Sequence, residues 1–194
     1  MILPNTLTVS RIVLTFIFII LIMQNGVIPK MIAAIVFAIA SFTDFYDGYL
    51  AKKHDMVSDF GKLMDPIADK FLILAAFVVF TIMGILPFWM FFIIFARELL
   101  ITALRLYAKT RGRILAAENL GKYKTVSQIF VTFYILIYIV FEESGVFKHF
   151  SEGFVNIWYG SIYFFMLFTV ILTLVSGISY VVSNKHLFNE NPFR

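Results

Sequence analysis

The stretch TDFYDGYLAKKHDMVSDFGKLMDPIADK, residues 43–70, places four acidic side chains between two apolar segments of the chain. Asp44 and Asp47 close the first apolar segment, and Asp65 and Asp69 open the second. Acidic residues at the edge of a membrane segment are energetically costly, and those that occur there usually serve a function. Any account of this chain therefore has to explain these four carboxylates.

The composition of the whole chain predicts an integral membrane protein. Of its 194 residues, 61% are hydrophobic and 14% are charged, whereas a soluble domain carries about 45–50% apolar and about 25% charged residues. No polar segment is long enough to fold separately, so residues 1–194 are expected to form a single transmembrane domain. The absence of cysteine excludes disulfides and thiolate metal sites, and nucleic acid is not an expected partner.

Apolar segments along the chain predict an all-α, polytopic fold with six transmembrane helices. Each span needs roughly 20 mostly apolar residues. The predicted spans cover residues 9–23, 31–50, 60–83, 88–107, 124–141 and 158–182. Turn residues separate them at Asn25-Gly26, Gly84, Gly112 and Gly145. The first span lacks a basic leading segment and a small-residue cleavage site, so we expect it to be retained.

The distribution of basic residues predicts the orientation of these spans. Of the 16 Lys and Arg residues, Lys30 and Lys148 fall on one side of the membrane and Arg97 lies inside the fourth span. The others fall on the side that carries both termini. Because cytoplasmic loops are enriched in Lys and Arg, we expect a multi-pass protein of the cytoplasmic (inner) membrane. Both termini and the aspartate stretch would then face the cytoplasm.

The spacing of the four aspartates predicts a metal site. Asp44 and Asp47 are three residues apart on one helix, and Asp65 and Asp69 are four apart on the next, so each pair shares a helix face. Two antiparallel helices joined by a short turn would bring the pairs to similar depth. Clustered carboxylates suit hard divalent ions. We expect two ions, Mg²⁺ or Mn²⁺ in its place. Asp65 before Pro66 could instead be a helix N-cap.

Three further residues of this stretch are candidates for phosphate contact. Gly48 and Gly61 lack side chains, so a ligand could approach the helix backbone closely there. Lys52 lies one turn beyond Gly48 on the same face and could meet a phosphate group.

The aspartate stretch resembles the signature of the CDP-alcohol phosphotransferase family. The shared pattern is D-x-x-D-G-x-x-A-K, eight residues, then G-x-x-x-D-x-x-x-D, running here from Asp44 to Asp69. Lys52 departs from the arginine that is usual in the family, and lysine lacks the bidentate phosphate geometry of arginine. Four further segments resemble the branch of the family whose acceptor is sn-glycerol 3-phosphate: PNTLTVSR, ARELLITALR, LGKYKT and VSGISY. These segments are less specific to the branch than the aspartate signature is to the family.

The resemblance implies a membrane enzyme with six transmembrane helices. Such enzymes often form homodimers, and membrane lipids would surround this one. It would transfer a phosphatidyl group from CDP-diacylglycerol to an alcohol, here sn-glycerol 3-phosphate, and release CMP. Asp44, Asp47 and Asp65 would chiefly hold the metal ions. Asp69 would be the catalytic base and could also touch a metal. Asn5 and Thr8 match positions that contact the CDP moiety in the family, although either could simply cap the first helix. Asp44 and Asp47 are expected to contact CDP as well.

The acceptor would be a dianion, so its site requires cations. The basic candidates in and beside the fourth and fifth spans are Arg97, Arg105, Lys122 and Lys124. Each has a simpler explanation: the basic stretch could contact anionic lipid headgroups, and Arg97 could pair with a neighbouring acid.

The sequence leaves three other kinds of function open: a sibling enzyme, a cation transporter and a lipid-binding scaffold. A sibling enzyme with a different acceptor would be a cardiolipin, phosphatidylserine or phosphatidylinositol-phosphate synthase, because these share the aspartate signature. A cation transporter would need acids spread across the membrane depth, whereas here they gather on one side. A noncatalytic lipid-binding scaffold would bind CDP-diacylglycerol without releasing CMP.

Overall fold

Six long helices make up the described part of the chain. The computed structural model describes the backbone of residues 3–54, 59–110 and 119–184, and the side chains of residues 9–43, 70–108 and 121–184. Within these ranges there is one short 3-10 helix, Val146–His149, and no β-strand. The α-helices are α1 (Leu3–Ile22), α2 (Val27–His54), α3 (Asp59–Ile82), α4 (Phe88–Thr110), α5 (Asn119–Glu143) and α6 (Glu152–Ser183). The predicted all-α fold class is confirmed.

Each α-helix corresponds to one predicted span, but several are longer than the apolar run that marked them. α5 begins at Asn119 rather than residue 124, and α6 begins at Glu152 rather than residue 158. The start of α6 is set by Ser151, whose side chain accepts a hydrogen bond from the N–H of Phe154. Capping of this kind fixes a helix terminus regardless of hydropathy, so an apolar run underestimates helix length.

Glycines end helices where the sequence predicted turns. Gly84 follows α3 with φ 77° and Gly145 follows α5 with φ 69°, a left-handed conformation that side chains other than glycine rarely adopt. Beyond Gly84, the N–H of Ile85 reaches back to the carbonyl of Phe80 at 2.9 Å. The turn predicted at Gly112 lies outside the described residues.

The helices pack around a core that is rich in phenylalanine. α1 lies against α2 and α3, α5 against α2 and α6, and α4 against α3 and α6. Phe37 of α2 contacts Phe18 of α1 and Phe133 of α5, with ring centroids 5.5 and 5.3 Å apart. This core holds α1 to α5 at fixed distances from one another and so frames the cavity described below.

The surface of the bundle carries many large apolar side chains, and its mainly apolar interior also holds charged and polar ones. Large apolar side chains are exposed on the helix surfaces, among them Ile28 at 72%, Phe42 at 72% and Ile157 at 73%. A smaller set of charged and polar side chains, among them Glu98 and Lys124, lies buried between the helices. Extended apolar surface of this kind marks contact with a membrane or a partner.

Helix length and composition are consistent with a membrane protein. Among the described residues, Gly121–Glu143 and Glu152–Ser183 are long and apolar enough to cross a bilayer. Three other helices have shorter apolar parts, Val9–Ile22, Val27–Thr43 and Lys70–Ile82.

Candidate active site

A cavity of about 220 Å³ lies where five helices converge. Its walls are mixed, with charged and hydrogen-bonding groups facing aliphatic ones. The lining residues are Arg11 from α1, Ser41 from α2, Lys70, Leu72, Ile73 and Leu74 from α3, Glu98 from α4, and Lys124, Thr125, Gln128 and Ile129 from α5.

Glu98 is the charged centre of this cavity wall, with 3% of its surface exposed. Its Oε2 atom lies 3.0 Å from Nζ of Lys70, and its Oε1 atom accepts a hydrogen bond from Nζ of Lys124. The neighbouring Arg97 places Nη1 3.3 Å from the same Oε1 atom. One carboxylate thus joins cations from α3, α4 and α5, which we call the Glu98 cluster: Lys70, Arg97, Glu98 and Lys124.

Further hydrogen bonds fix the positions of the cations. Lys70 donates to Oγ1 of Thr102 at 2.5 Å, and Thr102 in turn donates to the backbone carbonyl of Glu98 at 2.7 Å. Arg97 donates from Nη2 to Oγ of Ser176 on α6 at 3.1 Å. The cluster therefore connects four helices.

The Glu98 cluster carries more positive than negative charge. Within the described residues, three cations share the carboxylate of Glu98, and Lys124 is as deeply buried as its partner. Removing charges from water is costly unless opposite charge compensates them. Glu98 and Lys124 are buried, whereas Arg97 and Lys70 are partly exposed. A cluster with excess positive charge beside a cavity is suited to bind an anion.

Two neutral polar groups in the cavity wall lack hydrogen-bond partners among the described residues. They are Oγ of Ser41 and Nε2 of Gln128. Buried polar groups in folded proteins are nearly always paired with protein or water. Both residues line the cavity, so these unpaired atoms mark the part of its wall that lacks a polar partner.

The predicted acceptor-site cations fall into two groups. Lys124 and Arg97 belong to the Glu98 cluster, and Arg97 does pair with the neighbouring acid. Arg105 and Lys122 are exposed and do not line the cavity. Arg105 lies two helical turns beyond Arg97 on α4, and Lys122 lies two residues before Lys124 on α5.

For the aspartates and their neighbours in the predicted site, the structure shows only which helix each residue belongs to. Asp44, Asp47, Gly48 and Lys52 fall within α2, Gly61, Asp65 and Asp69 within α3, and Asn5 and Thr8 within α1. All of these side chains lie outside the described residues. Among the side chains that are described, no group of three metal-ligating residues occurs.

The cavity nevertheless adjoins the helix turns that carry the aspartates. Lys70 directly follows Asp69 on α3, and Ser41 lies one turn before Asp44 on α2. α2 and α3 run in opposite directions and contact each other. From the cavity, both aspartate pairs therefore lie toward the same end of the helix bundle.

Sequence reasoning missed several residues of the cavity wall as site candidates, namely Arg11, Ser41, Lys70, Glu98 and Gln128. Glu98 could have been found from the sequence, because an acidic residue within an apolar segment usually has a functional role. Lys70 shows in the sequence only as a positive charge on the predicted cytoplasmic side. Gln128 and Ser41 gave no signal, because which face of an apolar helix turns inward depends on packing.

Comparison with known proteins identifies the family. The sequence model of CDP-alcohol phosphatidyltransferases matches residues 1–175. A Bacillus subtilis (strain 168) protein named CDP-diacylglycerol–glycerol-3-phosphate 3-phosphatidyltransferase is 38% identical over 148 residues, covering 70% of this chain and 77% of its own length. A Rickettsia typhi protein of the same name is 31% identical over 186 residues, covering 96% and 98%. The chain therefore belongs to the CDP-alcohol phosphatidyltransferase family.

Proposed function

We propose that this protein transfers the phosphatidyl group of CDP-diacylglycerol to sn-glycerol 3-phosphate, giving phosphatidylglycerophosphate and CMP. The family membership and the names of the relatives support this reaction. The observation that carries it in this molecule is the Glu98 cluster, a partly buried excess of positive charge beside the aspartate-bearing turns of α2 and α3. A small anionic acceptor held there would lie next to the predicted donor site.

The acceptor phosphate is assigned to cations of the cavity wall. A phosphate monoester carries close to two negative charges at neutral pH, which matches the excess positive charge of the Glu98 cluster. Lys124 lines the cavity directly, and Arg97 supports it through Glu98. Arg105 and Lys122 are exposed on the same helices and would attract the anion as it approaches.

The donor is assigned to the aspartate turns. Asp44, Asp47 and Asp65 would hold divalent ions, with Mg²⁺ first and Mn²⁺ as the alternative. The donor set fits such ions because all its ligands are carboxylate oxygens on two contacting helices. When bound, the ions neutralise charge on the diphosphate. Asn5, Thr8, Gly48, Lys52 and Gly61 are the remaining candidates for contact with CDP.

The reaction exchanges one phosphorus–oxygen bond for another. The acceptor hydroxyl oxygen forms a bond to the phosphorus that bears diacylglycerol, and the bond from that phosphorus to the oxygen of CMP breaks. The leaving CMP takes the electron pair, and Asp69 takes the hydroxyl proton. Holding the acceptor in the cavity would orient the hydroxyl for this attack.

The finer cellular assignments belong to the same proposal. All six helices would cross the cytoplasmic membrane, with both termini and the active site on the cytoplasmic side. This arrangement lets the acyl chains of the donor remain in the bilayer while its diphosphate reaches the aspartates. The protein would act as a homodimer, which crosslinking in native membranes would test.

The reaction is tested by measuring CMP release from a panel of acceptors. Purified protein with Mg²⁺ and CDP-diacylglycerol is expected to release CMP fastest with sn-glycerol 3-phosphate. Serine, inositol phosphate and phosphatidylglycerol serve as competing acceptors. Faster turnover with any of these would show that glycerol 3-phosphate is not the preferred acceptor. Binding of CDP-diacylglycerol without CMP release from any acceptor would contradict the proposal that the protein is an enzyme. Ion flux in proteoliposomes without lipid substrates would favour a transporter.

The role of Asp69 is tested by the substitution Asp69→Asn. It removes the proton acceptor while keeping the size of the side chain, so turnover is expected to fall by at least about 100-fold while CDP-diacylglycerol binding is largely retained. Asp55→Asn, a change in the same acidic stretch but outside the signature, is the matched control and should leave turnover unchanged. Near-normal turnover by Asp69→Asn would remove Asp69 from the role of base.

A further inference from the structure

Gln128 lines the cavity and carries a buried hydrogen-bond donor that has no partner among the described residues. Its side chain is 3% exposed, and within the described residues Nε2 has no hydrogen-bond partner. A buried donor left unpaired is unfavourable, so a group that persists in this state usually meets a ligand or water.

The neighbours of Gln128 define what such a ligand must contain. Lys124 lies one helical turn before Gln128 on α5, so both side chains face the same cavity. Ser41, on α2, lines the same cavity and also has an unpaired hydroxyl oxygen. The cavity thus offers cations at one position and neutral hydrogen-bonding groups at another. It matches a small molecule with an anionic end and a hydroxyl-bearing end.

The size of the cavity supports a small ligand. Pockets for drug-sized molecules generally measure about 300–1,000 Å³, and this cavity measures about 220 Å³. A phosphorylated three-carbon alcohol would fit within it.

We propose that Gln128 is a specificity-determining residue, which donates a hydrogen bond from Nε2 to the C2 hydroxyl of glycerol 3-phosphate, the hydroxyl that does not react. The inference rests on the proposed function and adds to it the feature by which the acceptor is chosen. A site built to pair a substrate hydroxyl discriminates strongly against an analogue that lacks it, because its own buried group is then left unpaired. Gln128 would therefore select for an acceptor with a hydroxyl next to the reacting carbon.

The test compares glycerol 3-phosphate with 1,3-propanediol monophosphate, which lacks the C2 hydroxyl. Wild-type protein is expected to prefer glycerol 3-phosphate by at least about 100-fold in kcat/KM. In Gln128→Met, which keeps the side-chain length but removes the amide, the preference should fall below about tenfold. The preference should fall because kcat/KM for glycerol 3-phosphate decreases, while kcat/KM for the analogue stays nearly unchanged. Gln24→Met, at an exposed glutamine, is the matched control and should keep the wild-type preference.

A second variant and a stability measurement separate recognition from folding. Gln128→Asn keeps an amide but withdraws it by one methylene, and it should also lose rate with glycerol 3-phosphate selectively. The thermal unfolding temperature of each variant in detergent shows whether the protein remains folded. If Gln128→Met is unfolded, the comparison is made with Gln128→Asn.

Two results would overturn the inference. One is an equal loss of kcat/KM for both acceptors in a folded Gln128 variant, which is what a purely structural glutamine would give. The other is a wild-type protein that turns over both acceptors equally well. Absence of CMP release with glycerol 3-phosphate in the wild type would overturn the proposed function as well, whereas the first two results leave that function intact.

Discussion

At the scale of single residues, Glu98 is the group on which the cavity wall depends. Its carboxylate contacts Lys70, Arg97 and Lys124, which come from three different helices. Breaking a buried ion pair by removing one partner leaves uncompensated charge and costs about 3–5 kcal/mol. Without the carboxylate, three neighbouring cations would repel one another.

We expect Glu98→Gln to be strongly destabilising. The free energy of unfolding should fall by about 3–5 kcal/mol, measured by thermal denaturation in detergent micelles. The double variant Glu98→Gln/Lys124→Met should be more stable than Glu98→Gln alone, because it also removes a buried unpaired cation.

The matched control for this prediction is Glu142→Gln, at an exposed glutamate near the end of α5. Exposed charges contribute little to stability, so this change should be nearly neutral. Additive effects of Glu98→Gln and Lys124→Met, with no recovery in the double variant, would show that the two residues are not coupled.

At the scale of secondary structure elements, α6 supports the cluster through a close approach to α4. Arg97 of α4 passes over Gly177 of α6, where a methyl group on position 177 would lie 3.1 Å from Cγ of Arg97. The adjacent Ser176 accepts the hydrogen bond from Nη2 of Arg97. The VSGISY segment of α6 thus provides a bare backbone and an acceptor side by side.

Two glycine substitutions in α6 should have opposite effects. Gly160→Ala meets no described atom within 4 Å, so it should stabilise the protein by about 0.5–1 kcal/mol through reduced backbone freedom. Gly177→Ala displaces Arg97, and overpacking of this kind costs about 1–3 kcal/mol. Thermal denaturation should therefore place Gly177→Ala below Gly160→Ala. Equal stabilisation by both would show that Arg97 moves aside freely.

At the scale of the whole molecule, the helix bundle has a mainly apolar core that contains a buried polar cluster, and it exposes large apolar side chains on its surface. Glu98, Lys124 and Gln128 are buried, whereas exposed positions such as Ile28 and Ile157 are apolar. This distribution, together with the family membership, indicates a membrane protein. The proposed orientation places the turn between α5 and α6 outside the cell and the basic segment after α4 inside it.

Cysteine labelling tests this orientation in a clean background, because the chain has no cysteine. His149→Cys, at an exposed site between α5 and α6, should react with a membrane-impermeant maleimide in intact cells. Arg113→Cys should react only after the cells are permeabilised, because cytoplasmic loops carry the excess of Lys and Arg. The reverse pattern would invert the topology and place the basic segment outside.

Much of the fold could be predicted from the sequence because helix formation in a membrane segment is a local property. Every predicted span coincides with an α-helix, and the turns at Gly84 and Gly145 lie where expected. Helix starts were less accurate, because α6 begins at a cap on Ser151 rather than at the edge of its apolar run.

The candidate site was predictable only where it follows a local spacing rule. The aspartate signature belongs to this class, since i, i+3 and i, i+4 positions share a helix face by geometry alone. Lys124 and Arg97 were identified as candidates, but their shared partner Glu98 was not. Gln128 could not be identified, because the sequence of an apolar helix does not indicate whether a single polar residue faces the interior or the surface.

The sequence by itself determined a helical membrane protein, the spacing of its aspartates and thereby its family. Only the tertiary structure decided that Lys70, Arg97 and Lys124 share one carboxylate and that Gln128 faces the same cavity. The physical reason is that these helices are apolar over much of their circumference, so hydropathy does not define an inward face. Which residues meet is set by the rotation and packing of helices that are distant in the chain.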